Sequence, residues 1–74
     1  FSSAEQFYLT NQFKKSIDAF QKYLKRFPNG INTLISNLYL AESLSKNNRD
    51  EEALPYYKFI IENILRDLSN HKNF

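Results

Sequence analysis

Cysteine is absent from this chain of 74 residues, glycine occurs once and proline twice. Without cysteine there is no disulfide and no thiolate metal site, and the redox compartment cannot be read from thiols. One Gly and two Pro provide little for β-hairpin turns or long loops, and that scarcity points to an all-helical chain. No apolar run approaches the ~18 residues that a membrane-spanning helix needs, and no segment has the pattern of a signal peptide. Histidine appears once, at His71 in a polar tail, with no orienting partner nearby in sequence. No Gly-rich phosphate loop is present and no serine has a neighbouring base, so a non-catalytic protein without cofactor or metal is expected. The first residue is Phe1 rather than Met, and the chain is expected to be a piece of a longer protein.

What the chain does contain is apolar and aromatic. Hydrophobic residues make up 42% and aromatics 16%, including seven Phe and five Tyr. That is the composition of a folded domain. A chain this short buries only about 60% of its unfolded surface, so its stability is marginal unless something else covers its faces. The net charge of +2 is unevenly spread, +3 over residues 1–37 and −1 over residues 38–74. This is a mildly bipolar surface, far from the strong basic stripe of a nucleic-acid binder.

The chain also repeats itself. A shift of 37 residues places Ala4 on Ala41, Glu5 on Glu42, Phe7 on Leu44 and Asn11 on Asn48. It continues with Ser16 on Ala53, Ile17 on Leu54, Phe20 on Tyr57, Leu24 on Ile61 and Phe27 on Ile64. A period of this length marks an architecture in which one supersecondary unit stacks on the next.

Four helices are expected, over about Ser2–Thr10, Phe13–Phe27, Asn32–Lys46 and from Asn48 or Asp50 to about Leu68 or Ser69. The second buries Phe13, Ile17, Phe20, Tyr23, Leu24 and Phe27 on one face. Pro28-Asn29-Gly30 stops it, with Gly30 suited to a left-handed residue past the helix end. The third turns Leu34, Leu38, Ala41 and Leu44 inward. Asn48 and Glu51 fit a capping box for the fourth, whose acidic start suits the helix dipole. Its apolar stripe is Ala53, Tyr57, Ile60, Ile61, Ile64, Leu65 and Leu68, with a bend expected near Pro55. Phe7, Phe13, Phe20, Tyr23 and Phe27 are read as core aromatics. Tyr8 and Tyr39 sit off the inward faces and are candidate contact residues. The tail over residues 70–74 is expected to fray.

In each half a small residue (Ala4, Ala41) is followed three residues on by an apolar one, and twelve on by a second small residue (Ser16, Ala53). An aromatic stands four beyond that (Phe20, Tyr57). Close helix crossings require such notches, one helix supplying a small side chain and the other a large one. The spacing resembles the tetratricopeptide repeat, whose signature is Trp-x2-Leu-Gly-x2-Tyr, Ala-x3-Phe and then Pro. Leu40-Ala41-x2-Leu44 with Ala53-x3-Tyr57, and Ala4-x2-Phe7 with Ser16-x3-Phe20 and Pro28, fit its offsets. The sequence departs from the pattern at Asn37, which stands at the Trp position. Leu65 stands where the closing Pro is expected, and Asp50 where the first half has Phe13. The resemblance implies an all-α fold of two antiparallel helix pairs stacked as an α-solenoid fragment. One repeat would cover about 1–30 and the other about 31–69.

The period exceeds the usual length of about 34 residues. With Phe27-Pro28-Asn29-Gly30 and Tyr39-Leu40-Ala41-Glu42, it is similar to repeats of bacterial cell-envelope proteins, the Tol-Pal-associated and outer-membrane-assembly proteins. That resemblance implies a periplasmic or cell-envelope location.

In the resembled family the first helix of each pair lines a concave binding surface. The groove implied here presents Glu5, Tyr8 and Leu9 from one repeat and Leu38, Glu42, Ser45 and Lys46 from the other. Some members clamp a partner's terminal carboxylate with Lys and Asn, but Phe1, Glu5, Leu38 and Glu42 stand at the matching places. Two acids there would repel a carboxylate, so an apolar protein or peptide with basic residues is the expected partner. Leu65 and Leu68 lie beyond the reach of the first repeat. Burying one such Leu is worth about 1.5–3 kcal/mol, so a neighbouring repeat or a second copy is expected to cover them. The competing readings are a single-stranded RNA-binding helical repeat, disfavoured by the two groove acids, and a non-repeat, self-associating four-helix bundle.

Overall fold

Two asparagines shape the chain. Asn11 and Asn48 both adopt the left-handed conformation, with φ of 61° and 59°, which asparagine tolerates better than other residues with a side chain. Each closes a helix in the same way. The Gln12 N–H donates to Phe7 O at 2.8 Å and Asn11 N–H to Tyr8 O at 3.1 Å. At the second site the Arg49 N–H donates to Leu44 O at 2.8 Å and Asn48 N–H to Ser45 O at 3.1 Å. This is the Schellman pattern, which satisfies the last carbonyls of a helix and turns the chain back.

The computed structural model describes residues 1–70, and the expectations for His71 and the end of the tail lie outside them. Four helices follow one another: α1 (Ser2–Leu9), α2 (Phe13–Arg26), α3 (Thr33–Lys46) and α4 (Asp50–Asn70). α1 packs on α2, α2 on α3 and α3 on α4, with a minor contact of α1 with α3. No Cα of α1 comes within 8 Å of α4. Among the described residues the arrangement is therefore an open stack of two helical hairpins, not a closed four-helix bundle.

The core is built from Ala4, Ile17, Phe20, Leu40, Ala41, Leu44 and Ala53. Ala41 and Ala53 are 0% and 1% exposed, and Ser16 and Ala4 are buried as well. All four small positions of the repeat are thus buried, as close helix packing requires. Ser16 Oγ donates to Phe13 O at 2.9 Å and lies 2.7 Å from Ser43 Oγ. Its single proton goes to the carbonyl, so Ser43 donates and Ser16 accepts, a hydroxyl pair bridging α2 and α3. Asn37, at the family's Trp position, is buried and donates from Nδ2 to Thr33 O at 2.8 Å. A polar side chain is tolerated there because its own helix supplies the acceptor.

Several sequence expectations change. Leu34 is 42% exposed rather than inward and Leu38 is only half-buried, whereas Leu40 is fully buried. α3 is clamped between α2 and α4 and buries residues on both sides, so a single inward stripe misplaces its core. Phe27 is 45% exposed, because it is the residue where α2 ends and the chain leaves the stack; it keeps a tilted contact with Tyr23 at 5.2 Å. Gly30 does not adopt a positive φ. Phe27, at φ −127° and ψ 69°, already leaves the helical region, as a residue before proline tends to. The Asn48–Glu51 capping box does not form. Asn48 belongs to the end of α3, the Arg49 carbonyl accepts the Ala53 N–H at 3.2 Å, and Arg49 pairs with Glu52 through bonds of 2.6 and 2.7 Å. That fork holds the Glu52 carboxyl below the usual carboxylate range, chiefly through its hydrogen bonds from Arg49. α4 runs unbroken through Pro55 and is seven residues longer than α2, 21 against 14.

Candidate functional site

The first helices of the two hairpins meet at one polar contact. The Tyr8 hydroxyl donates to Glu42 Oε2 at 2.7 Å. Its ring stacks on Tyr39, with centroids 4.1 Å apart and planes inclined by 15°. Tyr39 in turn tilts against Phe20 at 5.9 Å, and Tyr8 meets Phe13 edge-on at 6.1 Å. Tyr8 and Tyr39, expected as candidate contact residues, therefore also pack between the hairpins. The pattern missed them because each lies at the margin of its helix's inward face, where a neighbouring hairpin decides burial. The bond to the Glu42 carboxylate pushes the Tyr8 phenol up to about 12, with burial and the same negative charge adding to the effect. Ionising Tyr8 would both break the bond and set two negative charges together.

Glu5, Leu38, Glu42 and Ser45 are half-buried, and Leu9 and Lys46 are exposed. On α1, Glu5, Tyr8 and Leu9 share one face by helical spacing, and on α3, Leu38, Glu42 and Ser45 do the same. The Tyr8–Glu42 bond joins these two faces. Phe1 packs against the core, edge-on to Phe20 at 6.1 Å and to Tyr23 at 5.7 Å.

A second surface lies on α4. Leu54, Ile61, Ile64, Leu65 and Leu68 are all exposed. Leu54, Pro55, Tyr57 and Ile61 line a shallow apolar groove bordered by Glu51, Lys58 and Glu62. Leu65 and Leu68 continue the same side of the helix, so both expected stacking residues are open to solvent. Among the described residues, no group of His, Asp and Glu is arranged to hold a metal ion. No helix there is long and apolar enough to cross a membrane.

Paired antiparallel helices, closed by equivalent turns and stacked through small-residue notches, define a helical-repeat protein. Residues 1–30 match the family model described as tetratricopeptide repeat. The first hairpin is thus similar to a tetratricopeptide repeat, and the second reproduces its turn and its notches 37 residues later. No curated protein and no solved structure matches the chain significantly.

Proposed function

We propose that the chain is a non-catalytic scaffold whose α1–α3 groove holds a protein segment that is apolar and carries basic residues. The observation that carries this reading is the placing of Glu5 and Glu42 at equivalent positions of adjacent helices, with Glu42 oriented by the Tyr8 hydroxyl at 2.7 Å. A carboxylate accepting one hydrogen bond keeps acceptor capacity for a lysine or arginine. Half-buried Leu38 beside it supplies apolar contact. Among the described residues neither Glu5 nor Glu42 forms a salt bridge, and two such acids disfavour an acidic or carboxylate-terminated ligand and equally the phosphates of RNA.

Calorimetric titration with a basic-apolar peptide and an acidic-tailed peptide tests the reading. The basic peptide should bind more tightly, and Glu5→Lys should weaken it by about tenfold, the order of one lost charge-assisted contact. Tighter binding of the acidic peptide overturns it. The reading extends to bacterial cell-envelope assembly, supported by the length of the period and the sequence around Pro28. Recovery of the parent protein in the periplasmic or membrane fraction tests that extension, and recovery in the cytosol alone refutes it.

A further inference from the structure

The loop between the two hairpins holds the chain's single glycine, directly after an asparagine. Asn29 and Gly30 are both exposed. An asparagine carries its own electrophile, because the backbone nitrogen of the next residue can attack the side-chain carbonyl carbon and close a succinimide ring. Glycine in that next place has no Cβ to obstruct the approach. The nitrogen attacks after losing its proton, so a hydrogen bond donated by that N–H opposes the reaction.

Hydrogen bonding separates Asn29 from the other asparagines up to Asn63. After Asn11, the Gln12 N–H donates to Phe7 O at 2.8 Å, and after Asn32 the Thr33 N–H donates to Gly30 O at 3.1 Å. After Asn47, the Asn48 N–H donates to Ser45 O at 3.1 Å, and after Asn48 the Arg49 N–H donates to Leu44 O at 2.8 Å. Asn37 and Asn63 stand inside α3 and α4, where the following amides belong to the helical ladder. Their side chains are held as well, each donating from Nδ2 at 2.8 Å, to Thr33 O and to Phe59 O. Among the described residues, neither the Gly30 N–H nor the Asn29 side chain is hydrogen-bonded. The one attacking amide left free is also the one with least bulk.

We propose that Asn29–Gly30 is a self-modification site in the junction between the hairpins. The Gly30 nitrogen gives up its proton and bonds to Asn29 Cγ. The Cγ–Nδ2 bond breaks, and Nδ2 leaves as ammonia with a proton returned from solvent. Water then adds to either carbonyl of the succinimide and cleaves a C–N bond of the ring, leaving aspartate or isoaspartate. Nothing is oxidised or reduced. The net charge of +2 falls by one, and isoaspartate also lengthens the backbone of the loop by a methylene. Asn29 and Gly30 line a cleft that Phe59 and Asp67 of α4 complete, so the new carboxylate joins that of Asp67 beside the junction. No residue of the α1–α3 groove takes part, and the site stands or falls without the groove.

The test incubates the full chain in mildly alkaline buffer made with heavy-oxygen water and follows it by mass spectrometry. A labelled oxygen should enter at residue 29, with an equal amount of ammonia released, and the rate should rise with hydroxide. Fragmentation should find no label at Asn32 or Asn37 of the same segment. Gly30→Ala should slow the reaction by about tenfold. Its fold should be unchanged by circular dichroism, since a Cβ at Gly30 meets nothing nearer than Phe27 Cβ at 3.6 Å. Amide hydrogen exchange should show the Gly30 N–H less protected than those of Gln12 and Arg49. Absence of label, equal labelling at another asparagine up to Asn63, an undiminished rate in Gly30→Ala, or a protected Gly30 amide overturns the proposal.

Discussion

Ser16 and Ser43 face each other across the α2–α3 crossing with their hydroxyl oxygens 2.7 Å apart, and the bond is directional. Ser16 spends its proton on Phe13 O, so Ser43 is the donor. Ser16→Ala removes the acceptor and leaves a buried O–H of Ser43 to find another partner. Ser43→Ala leaves Ser16 still bonded to Phe13. Urea denaturation should therefore show the Ser16 variant losing about 1–2 kcal/mol and the Ser43 variant less, with the double variant costing less than the sum. Equal and additive losses would mean that the hydroxyls do not communicate.

Ser36 provides the opposite case. Its Oγ is buried without a hydrogen-bond partner. An unsatisfied buried hydroxyl costs about 1–3 kcal/mol, so Ser36→Ala should raise the midpoint of thermal unfolding. A lowered midpoint would show that the hydroxyl is satisfied in solution.

Ala41 lies fully buried where α3 meets its neighbours. Ala41→Leu should cost about 1–3 kcal/mol by overpacking, a large part of the stability of so small a domain. An unchanged melting temperature would remove Ala41 from the crossing.

Asn11 and Asn48 occupy the left-handed region. Asn48→Gly should be nearly neutral, whereas Asn48→Val should lose about 1–2 kcal/mol because a branched Cβ clashes there. Asn11→Val should behave alike in chemical denaturation. A difference between the two sites would argue that the turns are not equivalent.

Tyr8 sets a pH dependence. Its phenol is raised to about 12 in the folded chain against an ordinary value of 10.0. The neutral form is favoured by folding, so the contribution is complete below pH 10 and is lost as pH climbs from 10 to 12. Ultraviolet titration should show a tyrosine step near pH 12, above the ordinary value of 10.0. Tyr8→Phe should remove that late step and flatten the alkaline loss of stability.

Much of this architecture was legible from spacing alone, for reasons that are local. The notches Ala4, Ser16, Ala41 and Ala53 could be read because close packing permits only small residues, and each is buried. With Leu65 in place of the closing proline, α4 continues to Asn70. What spacing could not decide was which neighbour covers a residue. Leu40 and Leu34 are both leucines of α3, yet only contact with two flanking helices separates the buried one from the open one. Asn48 was ambiguous because asparagine both starts helices and ends them, and its left-handed φ assigns it to the end of α3. The expected groove residues came from the resemblance alone, and the Tyr8–Glu42 bond needed the two hairpins to be placed together.

The open stack of two equivalent hairpins is tested most directly by nuclear Overhauser contacts among side chains. The account predicts contacts between the Tyr8 and Tyr39 rings, and none from Ala4 or Phe7 to Ile61 or Leu65. Contacts linking α1 to the later turns of α4 would instead mark a closed bundle and contradict it.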